Sequence, residues 1–141
     1  MRLIVYTSDY LANDNSIELD LEDITQAAKK RNPSLGITGV LFYHQGKFLQ
    51  LLEGEPDNID QIMQHINTDK RHNNIQLYID QNVESRCLAD WNMDSLNLSK
   101  ETPLDSREMA LLTDVYKQNL IVNTDALLHF YKAMLKTRAL F

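Results

Sequence analysis

Short apolar runs, rich in aliphatic, β-branched and aromatic residues, recur along the chain between polar turns. Runs of this length and composition predict β-strands. The second and third runs are apolar on both faces, which is typical of central strands covered on two sides. A polar turn at residues 44–47 joins these two runs into a predicted hairpin. The predicted strands cover residues 3–7, 37–43, 48–52, 75–79 and 91–98.

Two other segments place their apolar residues at helical spacing. In the first, Asp20 is the predicted N-cap, and Pro33 is predicted to end the helix near Asn32. The second helix is predicted to begin at Pro56, because proline suits the first turn of a helix. The apolar stripes of the two helices are Leu21, Ile24, Ala27 and Ala28, and then Ile59, Ile62, Met63 and Ile66.

The order of these elements is strand, helix, two strands, helix, two strands. It predicts an α+β, ferredoxin-like βαββαββ fold, in which a mixed five-stranded sheet carries two helices on one face. Composition changes after residue 98, and residues 106–120 and 124–140 both show helical periodicity. We therefore expect two domains, residues 1–98 and residues 99–141, the second being a helical hairpin on the other face of the sheet.

Composition narrows the class of protein. The 141 residues suit one such domain with a short extension, and 43% hydrophobic residues are ordinary for a soluble globular protein. The formal net charge of −6 argues against nucleic-acid binding, which needs clustered Lys and Arg. No apolar stretch reaches membrane-spanning length, and the single cysteine, Cys87, excludes an internal disulfide. We expect a cytoplasmic protein.

Neither a metal centre nor an enzymatic site is predicted. The four histidines lack the spacing of metal ligands, and Cys87 has no second cysteine beside it. The chain contains no Gly-x-Ser-x-Gly element, phosphate-binding loop or Gly-x-Gly-x-x-Gly fingerprint. These absences leave hydrogen-bonding side chains in apolar surroundings as the main functional signal.

Gln50 interrupts the most apolar of the predicted strands, residues 48–52. Its amide has two donors and an acceptor, and a buried polar group without a partner costs about 1–3 kcal/mol. Something polar, from the protein or from a bound molecule, must therefore meet it. By period two, Trp91 and Met93 are predicted to share a face of the last strand. Four other side chains have simpler structural explanations. Tyr6 can be a rim aromatic, Asn32 a helix-terminal residue, and Trp91 and Met93 core residues.

Five motifs follow one another along residues 1–98: the opening Tyr6-Thr7-Ser8, the segments 32–43 and 46–54, the element Asp69-Lys70-Arg71-His72, and the late Trp91-Asn92-Met93. The residues of these motifs and their order along the chain resemble those of BLUF domains, a family of flavin-based blue-light sensors. The fold of that family agrees with the predicted strand order. The chain therefore resembles a short, stand-alone BLUF protein.

The resemblance implies a non-covalently bound FAD, whose ring lies between the two helices. Tyr6 would donate an electron to the excited flavin, and Gln50 would bridge Tyr6 and the ring. Asn32 would bond the pyrimidine edge of the ring, and Arg71 would reach that edge or help to hold the cofactor's tail. The other implied site residues are Ile24, Phe48, Ile66 and His72 around the cofactor, and Met93 or alternatively Trp91 next to Gln50.

The expected function is that of a blue-light photoreceptor without enzymatic activity. The resemblance implies that rearranged hydrogen bonds at Gln50 are relayed through the last strand and residues 99–141 to a downstream signalling protein. The apolar two-helix extension favours a homo-oligomer. Two alternatives stay open: a small acylphosphatase-like hydrolase that uses Arg71 and Asn32 on an anion, and a cofactor-free interaction module.

Overall fold

A computed structural model describes residues 1–86, 88, 89, 91–98 and 106 of the chain. Within these residues the order of elements is the predicted one, with five strands and two α-helices. The predicted second domain, residues 99–141, and Cys87 lie outside the described residues, apart from Ser106. The elements are β1 (Arg2–Tyr10), α1 (Ile17–Arg31), β2 (Thr38–His44), β3 (Lys47–Gly54), α2 (Pro56–Thr68), β4 (His72–Asn82) and β5 (Asn92–Asn97).

The five strands form one mixed sheet in the order β4-β1-β3-β2-β5. Neighbouring strands are antiparallel except for β2 and β5, which run parallel. The central positions of β2 and β3 agree with their apolar character on both faces. The sheet and its two helices confirm the predicted ferredoxin-like fold. The predicted boundary between two domains after residue 98 stays a prediction.

The hairpin between β2 and β3 turns through Gln45 and Gly46, whose φ angles are 45° and 83°. Two positive φ values in a two-residue loop match the right-handed twist of the flanking strands. This turn pairs Lys47 with His44 and so sets the register that brings Leu41 opposite Gln50.

Both helices pack on the same sheet face, because period-two alternation aligns the apolar side chains of β1, β2 and β3 there. The α2 residues Ile59 and Ile62 pack into a cluster with Ile4 and Leu52 of the sheet. The α1 residues lie in two clusters: Ala28 belongs to the α2 cluster, and the remaining helix packs on aromatic residues. That second cluster consists of Ile17, Leu21, Tyr10, Leu41, Tyr43 and Phe48.

The predicted start of the first helix is wrong. The helix begins at Ile17, after a short 3-10 turn at Asp14–Ser16, and Asp20 lies inside it rather than capping it. Ile17 is buried and extends the apolar stripe by one turn, so tertiary packing moves the start toward the N-terminus. Asp20 instead accepts a hydrogen bond from the Tyr10 hydroxyl.

The outer strands differ from their predicted lengths. Strand β4 spans His72–Asn82 instead of residues 75–79, because polar residues without an apolar signal also pair with β1 at the edge of the sheet. Strand β5 begins at Asn92, so Trp91 precedes it. None of the helices in the described part of the chain is long and apolar enough to cross a membrane.

Candidate functional site

A cavity of about 670 Å³, including its open mouth, lies where α1 and α2 meet the sheet. Apolar side chains form most of its walls, and amide, phenol and charged groups lie among them. The lining residues are Tyr6, Ile24, Ala27, Ala28, Arg31, Asn32, Leu41, Phe48, Gln50, Leu52, Ile62, His65, Ile66, Asp69, Arg71, His72 and Met93.

Tyr6 and Gln50 are direct cross-strand partners on β1 and β3. The Tyr6 hydroxyl donates a hydrogen bond to Gln50 Oε1. Both residues are buried, with relative exposures of 3% and 5%. Among the described residues, the Gln50 amide nitrogen has no acceptor. The protein thus supplies one partner for the amide and leaves its donor group to whatever enters the cavity.

The phenol of Tyr6 is kept in its neutral form. Burial raises the pKa of Tyr6 well above its ordinary value, and the nearby negative charge of Asp69 raises it further. Tyr6 therefore carries its hydroxyl proton throughout the physiological pH range and directs that proton to Gln50.

A second buried amide, that of Asn32, also lines the cavity. Asn32 follows α1 directly, at the start of the 3-10 turn Asn32–Leu35, and only 1% of its surface is exposed. Pro33 follows it and ends the regular helix, as the sequence predicts. The Asn32 side-chain oxygen accepts from Arg31 Nε at 3.3 Å, while its amide nitrogen has no acceptor in the described part of the chain.

Arg71 is held at the cavity by Asp69. The guanidinium donates through Nε to both carboxylate oxygens, at 2.9 and 3.1 Å, and through a terminal nitrogen at 2.6 Å. These hydrogen bonds lower the pKa of Asp69 and raise the pKa of Arg71. The pair places a fixed cation, partly neutralised, at the end of α2.

His72 bridges two elements of the cavity wall. Its Nδ1 lies 2.7 Å from Ser8 Oγ, and its Nε2 lies 2.7 Å from the Ile66 carbonyl oxygen. Because a carbonyl oxygen only accepts, Nε2 is the donor in the second contact. The ring centroid lies 6.5 Å from that of Tyr6 and 6.2 Å from that of Phe48. His72 thereby ties β4 to β1 and α2 beside the phenol.

Met93, and not Trp91, lies in the cavity wall. The expectation that the two share one strand face does not hold, because β5 begins at Asn92 and its register with β2 shifts between Gly39 and Val40. Met93 also has a positive φ of 54°. The approach depends on Gly39, where an added Cβ would lie 2.9 Å from Met93 Sδ and 2.3 Å from the Leu51 carbonyl oxygen.

The structure brings nine of the ten predicted site residues together around one cavity, with Trp91 as the exception. The assigned role of each stays a prediction. Several wall residues were not predicted. Most of those on the helices share a helix face with Ile24, or with Ile62 and Ile66, so their helical spacing would have indicated them. The wall residues that were not predicted are Ala27, Ala28, Arg31, Leu41, Leu52, Ile62, His65 and Asp69.

The wall chemistry fits a flat, mostly apolar molecule with a polar edge. The amide nitrogens of Gln50 and Asn32, which have no acceptor among the described residues, suit the carbonyl and nitrogen acceptors of a flavin ring, and the apolar walls suit its faces. No group of three or more His, Cys, Asp or Glu residues that could hold a metal ion occurs among the described residues.

Comparison with known proteins gives a consistent result. A photoactivated adenylate cyclase subunit beta of Euglena longa is 36% identical over 78 residues, which are 55% of this chain and 9% of that protein. The blue light- and temperature-regulated antirepressor BluF of Escherichia coli is 32% identical over 72 residues, 51% of this chain and 17% of that protein. The chain therefore matches only a small part of these curated relatives.

A solved structure shares the fold. The dark-state structure of BlrB, a BLUF protein, matches with a TM-score of 0.69 and 23% identity, and 96% of each chain is covered. The family model described as "Sensors of blue-light using FAD" matches residues 1–94. The cavity, the five motifs and these matches agree, and the chain belongs to the BLUF family of blue-light sensors.

Proposed function

We propose that the protein is a blue-light photoreceptor that binds FAD non-covalently in this cavity and turns over no substrate. The observation that carries the proposal is the buried pair of Tyr6 and Gln50, in which the amide accepts from the phenol and has no described acceptor for its own N–H groups. Membership of a family of sensors that use FAD supports the choice of cofactor.

Asn32 and Arg71 would hold the polar parts of the cofactor. The amide nitrogen of Asn32 can donate to an acceptor on the pyrimidine edge of the ring. Arg71, fixed by Asp69, offers a cation to the same edge or to the cofactor's tail. The side chains that would cover the ring are Ile24, Phe48, Ile66 and His72.

A bound flavin supplies an electron acceptor when it absorbs blue light. Tyr6 would be the electron donor, and its hydroxyl proton would leave along the hydrogen bond to Gln50. Both would return to Tyr6, so no net oxidation would remain. The Gln50 amide would be left rotated or tautomerised, with a different set of donors and acceptors facing Tyr6 and the cofactor site.

Rearrangement at Gln50 would act on the first residues of β5. Met93 shares the cavity wall with Gln50, and Trp91 lies two residues earlier. A hydrogen bond is worth about 0.5–1.5 kcal/mol net, which biases a two-state element without unfolding a domain. We infer that Met93, or alternatively Trp91, is the residue that responds.

The output would pass from β5 through residues 99–141 to a downstream signalling protein. Proteins related to this chain are named as adenylate cyclase subunits and as an antirepressor, which supports coupling of one sensor to different effectors. We also propose a homo-oligomer, because the apolar faces of the predicted two-helix extension suit self-association. No enzymatic step is assigned to the chain itself.

The test is the colour of the purified protein. After reconstitution with FAD in the dark it should be yellow, and blue light should shift its absorption reversibly to longer wavelength. Asn32→Ala should weaken FAD binding about fivefold or more, the worth of one hydrogen bond. Asn67→Ala, at an exposed position of α2, is the matched control and should bind normally.

If the purified protein takes up no flavin, the proposal is contradicted. The cofactor-free interaction module is then the remaining function. Hydrolysis of an acyl phosphate by flavin-free protein, lost in Asn32→Ala, would favour the hydrolase instead. A flavin-bound protein without a reversible shift would contradict the photoreceptor role.

A further inference from the structure

Arg86 fastens the segment between β4 and β5 to three different parts of the chain. Its guanidinium donates to the Thr38 hydroxyl oxygen at 3.0 Å, to the Glu53 carbonyl oxygen at 3.2 Å, and to the Gly36 carbonyl oxygen. These acceptors belong to the start of β2, the end of β3 and the turn that follows Asn32. Arg86 itself is not among the residues that line the cavity.

A chain of hydrogen bonds leads from this anchor toward Met93. The buried carboxylate of Glu53 accepts from the Leu88 amide at 3.0 Å, and the Leu88 carbonyl accepts from the Trp91 amide at 3.0 Å. The Trp91 carbonyl accepts from the Gly39 amide at 2.9 Å. Met93 comes two residues later, so the anchored segment determines where this cavity residue enters the sheet.

The same guanidinium reaches toward the other cavity amide. Gly36 ends the 3-10 turn that starts with Asn32, and its own amide donates to the Pro33 carbonyl at 3.1 Å. The Ile37 amide donates to the Asn32 carbonyl at 3.0 Å. A displacement of Asn32 would therefore move the Gly36 carbonyl that Arg86 holds.

We infer that Arg86 is a positioning residue that couples the Asn32 turn to the Met93 segment, and this role in signalling rests on the proposed function. The guanidinium presents five donors in a planar fork, so it can hold three acceptors from three segments in fixed directions. A lysine ammonium in its place would keep the charge but not this geometry. Arg86 makes the Asn32 turn and the Met93 segment move together.

The first experiment is hydrogen exchange on flavin-free protein and on flavin-bound protein in the dark. Arg86→Ala should raise exchange about tenfold in peptides that cover residues 84–93, the factor expected from losing one to two net hydrogen bonds. Arg86→Lys should give a smaller rise. The matched control is Arg2→Ala, since Arg2 also makes three hydrogen bonds but to Asp60 and Asp80, at α2 and β4. It should leave residues 84–93 unchanged.

The second experiment is the rate of dark recovery after blue light. Without Arg86 the segment no longer restrains Met93 as it moves back to its dark position. Arg86→Ala should therefore recover in the dark about fivefold faster or more. The recovery rate of Arg86→Lys should lie between those of Arg86→Ala and the wild type. Arg2→Ala should recover at the wild-type rate even if its unfolding midpoint falls as far as that of Arg86→Ala. Thr38→Val, which removes one of the three acceptors, should show a smaller acceleration and serves if Arg86→Ala does not fold.

Unchanged exchange over residues 84–93 in folded Arg86→Ala, or an equal change in Arg2→Ala, would overturn the inference. Faster hydrogen exchange together with an unaltered rate of dark recovery would overturn the coupling between the Asn32 turn and the Met93 segment. Absence of flavin binding in the wild-type protein would instead contradict the proposed function. Exchange on the flavin-free protein would still decide whether Arg86 positions the segment.

Discussion

Strand β3 buries two polar side chains on opposite faces of the sheet, and the protein treats them differently. Gln50 and Glu53 are three residues apart, and their exposures are only 5% and 0%. Gln50 lines the cavity, and its amide nitrogen finds no acceptor within the described residues. The carboxylate of Glu53 accepts a hydrogen bond from the Leu88 backbone amide at 3.0 Å.

The difference separates a site for a ligand from a structural anchor. A buried polar group that the chain satisfies by itself fixes the position of its partner, as Glu53 fixes the segment that leads to β5. An amide nitrogen that lines a cavity and meets no acceptor among the described residues can instead donate to a bound molecule. Burial alone does not distinguish the two; the partners do.

The largest effect is expected at the cavity. Gln50→Ala and Tyr6→Phe should each leave flavin bound yet abolish the reversible absorption shift, because one removes the bridging amide and the other the readily oxidised phenol. Difference absorption spectra before and after blue light measure the loss. A normal photocycle in either variant would refute the role given to that residue.

The chain offers a matched control for this pair. On β4 the Tyr78 hydroxyl donates to Gln76 Oε1 at 3.0 Å, the same chemistry at an exposed position away from the cavity. Tyr78→Phe and Gln76→Ala should therefore keep the full shift. Loss of the shift in these variants would mean that it does not depend on the buried pair.

Glu53→Ala should give the opposite outcome. It leaves the Leu88 N–H without its acceptor and creates a cavity in the core, so we expect the free energy of unfolding to fall by about 1–3 kcal/mol. The absorption shift should persist. Denaturant titration and the difference spectrum measure the two properties, with Glu84→Ala at an exposed loop position as the control. Loss of the absorption shift in a stably folded Glu53→Ala variant would contradict the distinction between Gln50 and Glu53.

The smallest effect concerns pH and the pair of Asp69 and Arg71. The hydrogen bonds from Arg71 hold the pKa of Asp69 below its usual value of about 3.9. A carboxyl with a depressed pKa in the folded state contributes stability above its unfolded pKa, and this is lost as pH falls through the folded pKa. The stability difference between wild type and Asp69→Asn should therefore shrink below about pH 4. A constant difference, or an equal trend in Glu84→Gln, would contradict this.

The order of elements follows from the sequence because polar turns separate the apolar segments, and each segment has the length or the spacing of one type of element. Element ends follow less well, since tertiary contacts decide them. Asp20 has the chemistry of a cap, but Ile17 buries its side chain and moves the helix start toward the N-terminus. The polar residues added to β4 extend an edge strand whose exposed positions carry no apolar signal.

The site was predictable where buried polar residues stand out and motifs resemble a family. It was not predictable where geometry departs from a regular period. The register shift beside Gly39 and the positive φ of Met93 separate Trp91 from Met93, and alternation cannot reveal either feature. Asp69 enters the wall through the path of the chain beyond the end of α2, which residue spacing alone does not show.

The place of β5 at the edge of the sheet has a further consequence. Met93 belongs to a strand of six residues that is paired with β2, while the other four strands remain connected without it. Such an edge can open locally at a lower free energy than global unfolding. The wall of the cavity can thus loosen and close again while the rest of the sheet stays folded.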